Sequence, residues 1–243
     1  MWKTFAGRCL YQSTSGVSVY DNFIFRWLSL GSPAIQSLIN IRKPEKPGLN
    51  YISQLILPAR LFPGASCLLG LGGAGAAHAL SPALNHFPLT AVEISEEIIQ
   101  VAKTYFLTDR LKNLHIINQD ASTFIKNNGA PFKHILVDLF NAHRFPSNCY
   151  TPQFFIDCQN ALSNNGYLSV NLANRNEQYP VFKWLKAHFE LSTLVLPVRK
   201  SMNMIIIAAE KPALEILIEQ LKARKIISAL AWDLTWNRIA ITE

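Results

Sequence analysis

Cysteine and acidic residues are both scarce in this chain. The four cysteines, Cys9, Cys67, Cys149 and Cys158, form no CxxC pair and stand in no Cys/His group with zinc spacing. That argues against a disulfide scaffold and a structural zinc module, so no metal is expected, and the thiols read as residents of a reducing, cytoplasmic compartment. No apolar run approaches the roughly 20 residues that span a bilayer, so no membrane partner is expected. Residues 1–10 lack the sustained apolar stretch of a signal peptide. Sixteen Asp and Glu stand against 23 Lys and Arg, a formal net charge of +7. The bases are scattered, with one loose cluster at Arg42-Lys43-Pro44-Glu45-Lys46, so the excess reads as a generic basic surface and nucleic acid is not an expected partner.

What is present is apolar and regularly punctuated. Of 243 residues, 49% are hydrophobic, enough for one large domain with a small appendage. Residues 11–41 read as strands: 17–20 and 23–30 flank a turn at Asp21-Asn22, and 34–41 follows. Residues 42–48 read as a loop and 50–60 as a helix ended by Pro63-Gly64. From residue 66 strands and helices alternate. Strands are expected at 66–69, up to Glu93, 115–118, 134–138, 166–172, 191–197 and 202–209. Helices are expected from Gly73 (interrupted near Ser81-Pro82), from Ser95, and at 152–162, 177–189 and 213–225. This alternation predicts an α/β fold: a mostly parallel, seven-stranded, Rossmann-like sheet with helices on both faces, its late strand at 202–209 antiparallel. The expected division is a β-rich region 1–60 and a Rossmann-like domain 61–243. Trp232 and Trp236 have helical spacing and read as a packing or oligomer surface, which makes a second copy of the chain a candidate partner.

The segment Cys67-Leu68-Leu69-Gly70-Leu71-Gly72-Gly73-Ala74-Gly75 reads as a buried strand, a glycine turn and a helix start. Glu93 ends the next strand about 20 residues on, where a carboxylate holds the two hydroxyls of a ribose. No Gly-Lys-Ser/Thr follows, so this is not a phosphate loop. Asp120 and Asp138 end the next two strands. A carboxylate at an apolar strand end is costly unless partnered. Capping a following helix would explain any one of them; three in succession beside a glycine turn favour a nucleoside site. Glu93 then takes the ribose, Asp120 the adenine amino group, and Asp138 faces the reacting end. His143, in the loop after Asp138, reads as an exposed histidine rather than a base.

These segments, in this order, resemble the spermidine synthase (polyamine aminopropyltransferase) family, within the S-adenosylmethionine-dependent methyltransferase-like fold. Tyr11-Gln12-Ser13, Arg26-Trp27-Leu28-Ser29-Leu30 and Gln36 are similar to its small N-terminal β-domain. Leu69 to Gly75 resembles its cofactor loop, Val92-Glu93-Ile94 its ribose-binding strand end and Gln119-Asp120-Ala121 its adenine-binding turn. Val137-Asp138-Leu139-Phe140 resembles the start of its catalytic loop, and Tyr150-Thr151-Pro152-Gln153-Phe154-Phe155 the segment after it. The resemblance implies nucleoside binding by Gln36, Gly70, Gly72, Gly73, Gly75, Glu93, Asp120 and Ala121. It implies catalytic roles for Asp138 and Tyr150, and acceptor binding by Tyr51 and Asn141. The implied co-substrate is decarboxylated S-adenosylmethionine, or S-adenosylmethionine itself, and the implied acceptor a small amine.

The departures from the family pattern gather on the acceptor side. Gly73 stands where the family's cofactor loop has Asp, Asn141 where its catalytic loop has a second acid, and Tyr51-Ile52-Ser53 where it has Tyr-His-Glu. A polyamine pocket needs carboxylates to offset the lost hydration of ammonium groups. The chain is therefore expected to keep the nucleoside half of the site and to handle putrescine poorly. A methyltransferase using intact S-adenosylmethionine, and a non-catalytic nucleoside-binding descendant, are the alternative readings.

Overall fold

A computed structural model describes residues 2–32, 34–140, 144–190 and 192–242, the side chain of Trp2 excepted. Four short strands open the chain as an antiparallel meander: β1 (Arg8–Gln12), β2 (Val17–Asp21), β3 (Phe25–Leu30) and β4 (Ile35–Asn40). β1 begins at Arg8, ahead of the expected strand region. The β2–β3 turn is held by Asn22, whose Oδ1 accepts the N–H groups of Ile24 (3.0 Å) and Phe25 (2.8 Å). Such self-bonding is why Asn favours turns. Between β3 and β4, Leu28 pairs with Ser37 and Ser29 with Ile35. Gln36 is thus the extra residue of a β-bulge, a device that re-aims side chains.

Two short helices follow, α1 (Ile52–Leu55) and α2 (Leu57–Leu61), where one was expected. Pro58 lies in the first turn of α2. It has no N–H to continue a helix from α1, and its ring disfavours helical geometry in the residue before it.

The large sheet contains β5 (Ser66–Leu69), β6 (Leu89–Glu93), β7 (Leu114–Asn118), β8 (Phe132–Val137), β9 (Leu162–Leu172), β10 (Thr193–Pro197), β11 (Met204–Ala209), β12 (Ile227–Asp233) and β13 (Asn237–Thr242). Their spatial order is β12-β13-β10-β11-β9-β8-β5-β6-β7. β5 to β9 are mutually parallel, and β11 lies antiparallel between β9 and β10. The seven expected strands are all present, but the sheet has nine. The two more form a C-terminal hairpin, β12–β13, joined in parallel to β10. Trp232 therefore lies on a strand and Trp236 in the hairpin turn, not on a helix. Their spacing of four also fits a hairpin tip, where periodicity over so short a segment does not discriminate. Trp236 packs on Tyr179 and Phe182, while Trp232 is exposed.

Helices α3 (Gly75–Leu84), α4 (Glu96–Tyr105), α5 (Ala121–Asn127), α6 (Pro152–Asn160), α7 (Arg175–His188) and α8 (Lys211–Ala223) cover both faces. α3 is continuous through Pro82 rather than interrupted there. Only one intrahelical bond is forfeited, close to the helix end. Side chains alternate across β5: Leu68 joins the core under α3 and α8, while Cys67 and Leu69 join the core under α6 and α7. The small sheet seats on α4, burying Val19, Leu28 and Ile39 against Ile98, Val101 and Phe106. Glu97 of α4 secures this contact, accepting hydrogen bonds from Tyr11 (2.9 Å) and Ser15 (2.6 Å).

Candidate active site at the carboxyl ends of the parallel strands

The chain runs outward from β5 through β6 to β7, then returns to β8 on the other side of β5. The sheet's switch point, where open α/β sheets bind ligands, thus lies at the carboxyl ends of β5, β6 and β8. The glycine turn leaves β5 there. Gly70 has φ +96°, and a Cβ on it would stand 2.3 Å from the Asp138 carbonyl oxygen. The Asp138 N–H in turn donates to the Leu69 carbonyl (2.8 Å). The glycine is needed because two strand ends touch, and Gly70→Ala should cost about 2–4 kcal/mol through strain and overpacking. Urea unfolding is the check: a shift under about 0.5 kcal/mol would show that the turn can yield.

Glu93, at the end of β6, faces this turn. One carboxylate oxygen accepts the N–H groups of Leu71 (3.1 Å) and Gly72 (3.5 Å), and the other that of Ser95 (3.1 Å). Ser95 caps α4 by accepting from the Ile98 N–H. The Gly73 N–H donates to the Ser37 hydroxyl (2.8 Å), which reaches over from β4. A Cβ on Gly73 would come within 2.7 Å of the Phe106 ring and 2.8 Å of the Ser37 Cβ. The space that an acidic side chain would need at this position is thus filled by a serine and a phenylalanine. Gly72 (φ +51°) faces Ser37 as well, and Gly75 starts α3 against Ile52. Gln36, the bulge residue beside Ser37, is half-buried; its neighbour makes the bond to the turn.

Asp120 is the N-cap of α5. Its Oδ1 accepts from the Thr123 N–H (2.9 Å) and the Ser122 hydroxyl (2.5 Å), and its Oδ2 from the Asn148 amide (2.6 Å). Burial works to raise its pKa, but these hydrogen bonds outweigh burial and hold the carboxyl below its ordinary value. Capping, which the sequence reading set beside an adenine contact, is thus a role Asp120 fills. Ala121 is buried as the first residue of α5.

Asp138 follows β8. Its Oδ2 accepts from the Tyr51 hydroxyl (3.0 Å) and its Oδ1 from the Asn171 amide (2.8 Å). Asn171 is locked in turn by Asn203, whose amide donates to its Oδ1 (2.8 Å). Both Asp138 and Tyr51 keep some accessible surface, as the walls of a cleft do, but protein atoms crowd them closely. Burial raises the Asp138 pKa from the ordinary 3.8, against the opposing hydrogen bonds of Asn171 and Tyr51. Burial and the nearby carboxylate both push the Tyr51 phenol up. The pair unites residues 87 positions apart.

Tyr150 is not part of this cluster by direct bonding. Its ring packs edge-on to Trp184 at 5.0 Å and tilted against Phe145, and burial and Glu177 raise its pKa. Asn141 and His143 lie outside the described residues. Three residues went unpredicted. Ser37 has no distinguishing sequence signal, and Asn148 follows a Pro-Ser that reads only as loop. Asn171 had one: it is a lone amide in the apolar run Leu168-Ser169-Val170-Asn171-Leu172.

A family model for the spermine/spermidine synthase domain matches residues 81–212, more than half of the chain. The chain is 31% identical to a polyamine aminopropyltransferase of Neisseria meningitidis serogroup A, over 92% of its own length and 86% of the relative's. Among solved structures, a probable spermidine synthase from Corynebacterium glutamicum superposes with a TM-score of 0.70 at 19% identity, over 83% of this chain and 79% of that one. A spermidine synthase captured with a transition-state analogue gives 0.66 at 16% identity, over 84% and 74%. The two structures show the shared fold; the family match and the sequence relative, which spans nearly the full length, carry the assignment. The chain belongs to the spermine/spermidine synthase family.

Proposed function

We propose that the chain binds decarboxylated S-adenosylmethionine across the glycine turn and transfers its aminopropyl group to an amine less highly charged than a polyamine. The observation that carries this reading is the Asp138 carboxylate, set beside the turn and bonded, among the described residues, to the neutral partners Tyr51 and Asn171. The turn is closely packed, so that a Cβ at Gly70 would meet Asp138 and one at Gly73 would meet Ser37 and Phe106, and Glu93 stands beside it with lone pairs for ribose hydroxyls. The sulfonium supplies an electrophilic carbon. The amine nitrogen bonds to that carbon, the C–S bond breaks with its electron pair going to sulfur, and Asp138 takes the amine proton. Burial makes Asp138 a stronger base than a solvated carboxylate. Among the described residues no second acid is bonded to Asp138 or its partners, so a second ammonium on the acceptor would lose hydration without compensation.

The test is methylthioadenosine release by purified protein, with decarboxylated donor and a panel of mono- and diamines. A monoamine or a weakly charged amine should be turned over at least tenfold better than putrescine. Efficient turnover of putrescine would overturn the acceptor assignment. Thermal stabilisation by S-adenosylmethionine and its homocysteine product, but not by methylthioadenosine, would overturn the donor assignment in favour of a methyltransferase.

A further inference from the structure

A second cleft, of about 630 Å³, is lined by none of the residues of the glycine turn and by neither Glu93, Asp120 nor Asp138. Its walls come from α1 and α2, the β10–β11 turn, the end of α8 and the last strand. Four cations line it: Arg60 on α2, Arg199 and Lys200 in the β10–β11 turn, and Arg224 at the end of α8. Among the described residues its lining holds no Asp or Glu. Among the described residues none of the four cations forms an ion pair; the Arg224 Nε donates only to the neutral Gln220 amide oxygen, at 3.3 Å. Four like charges around one concavity repel each other unless an anion sits between them. The basic excess that reads as scattered along the sequence is thus partly gathered by the fold.

Gln54 supplies an independent observation. It lines the cleft and is 5% exposed. Its amide nitrogen donates to the Thr242 hydroxyl (2.6 Å) and lies 3.5 Å from the Pro197 carbonyl oxygen. Among the described residues its buried Oε1 has no partner. A buried acceptor left unpaired costs about 1–3 kcal/mol, and this one lies within the cleft wall rather than on its surface. Leu57, Val198 and Ile226 add apolar wall for an organic body. The volume lies in the range of small-molecule sites, and Arg forks match phosphate geometry.

We infer that this cleft binds a small organic phosphate carrying at least two phosphate charges. The inference does not rest on the aminopropyl-transfer reading. Calorimetry of the full chain at low salt tests it with two probes, fructose 1,6-bisphosphate and inorganic tripolyphosphate; neither carries a base that could enter the nucleoside site. The sugar bisphosphate should bind with 1:1 stoichiometry and raise the melting temperature. Arg199→Ala with Lys200→Ala, both exposed and so harmless to folding, should weaken it at least tenfold. Lys126→Ala, an exposed lysine on α5, should change it less than twofold. No binding of the sugar bisphosphate, or an equal loss in Lys126→Ala, would overturn the site. Equal or tighter binding of tripolyphosphate would overturn the organic ligand.

Discussion

Asp138→Asn should lower the rate of aminopropyl transfer by about 10²–10⁴-fold, the span that a positioned general base supplies, while methylthioadenosine binds within twofold of the parent. The same substitution should not weaken the fold at neutral pH. An amide at 138 can accept from Asn171 through oxygen and donate to the Tyr51 hydroxyl oxygen through nitrogen, so each neighbour keeps one hydrogen bond to residue 138. The charge it removes is one that burial disfavours. The pH dependence has a definite sign. Burial raises the Asp138 pKa in the folded state above the ordinary 3.8, so the native state holds this proton more tightly than the unfolded chain. Its contribution to stability is greatest below the unfolded value and is lost as pH rises through the folded one. The melting temperature of Asp138→Asn relative to the parent should therefore climb as pH rises above about 4. A variant that loses activity together with methylthioadenosine binding would move Asp138 to the nucleoside half. A relative melting temperature that falls with pH would refute the burial argument.

Glu93→Ala should weaken methylthioadenosine binding by about 1.5–3 kcal/mol, the range for hydrogen bonds to a charged group, which is roughly 10–150-fold in Kd. Part of this loss arises before any ligand arrives, because Glu93 also holds the N–H groups of Leu71 and Gly72. Glu93→Gln separates the two contributions. The amide oxygen can still accept from the turn, while the charge that strengthens a ribose contact is gone. Calorimetry should place Glu93→Gln between the parent and Glu93→Ala. Unchanged affinity in a folded Glu93→Ala variant would remove Glu93 from the nucleoside site.

The parts of this molecule that sequence reveals are those with local causes. The glycine turn, the Ser95 cap and the acids at the ends of β6 and β8 each follow from a few adjacent residues, and strand–helix alternation carries the parallel sheet. The misreadings have local causes as well. Pro58 splits a segment whose apolar pattern is continuous, and a spacing of four between two tryptophans fits a hairpin as well as a helix. What stayed hidden depends on long-range contact. Ser37 is an ordinary serine until β4 lays it on Gly73. Phe106 is an ordinary core residue until it fills the space that an acid at 73 would need. Asn171 and Asn203 are 32 residues apart, and only their pairing behind Asp138 shows that β9 and the β10–β11 turn share one polar chain. The cations Arg60, Arg199, Lys200 and Arg224 likewise come together only in the folded chain.

The position of β11 between β9 and β10 governs how the chain can assemble. β10 precedes β11 in the chain yet lies beyond it in the sheet, so β10 cannot add to the edge at β9 without blocking the place of its successor. The order that avoids this closes β10 and β11 first as a hairpin across residues 198–203, a microsecond event for such a turn, and then docks the pair on β9 through β11. The cation-bearing turn at Arg199 and Lys200 is therefore an early local feature of folding. By contrast, the bond from Gln54 to Thr242 joins residues 188 apart, the widest separation among the side-chain hydrogen bonds of the described residues, and it needs the β12–β13 hairpin in place, a costly closure in chain entropy. The helix that begins beside Tyr51 is thus tied to the last strand in the chain's order.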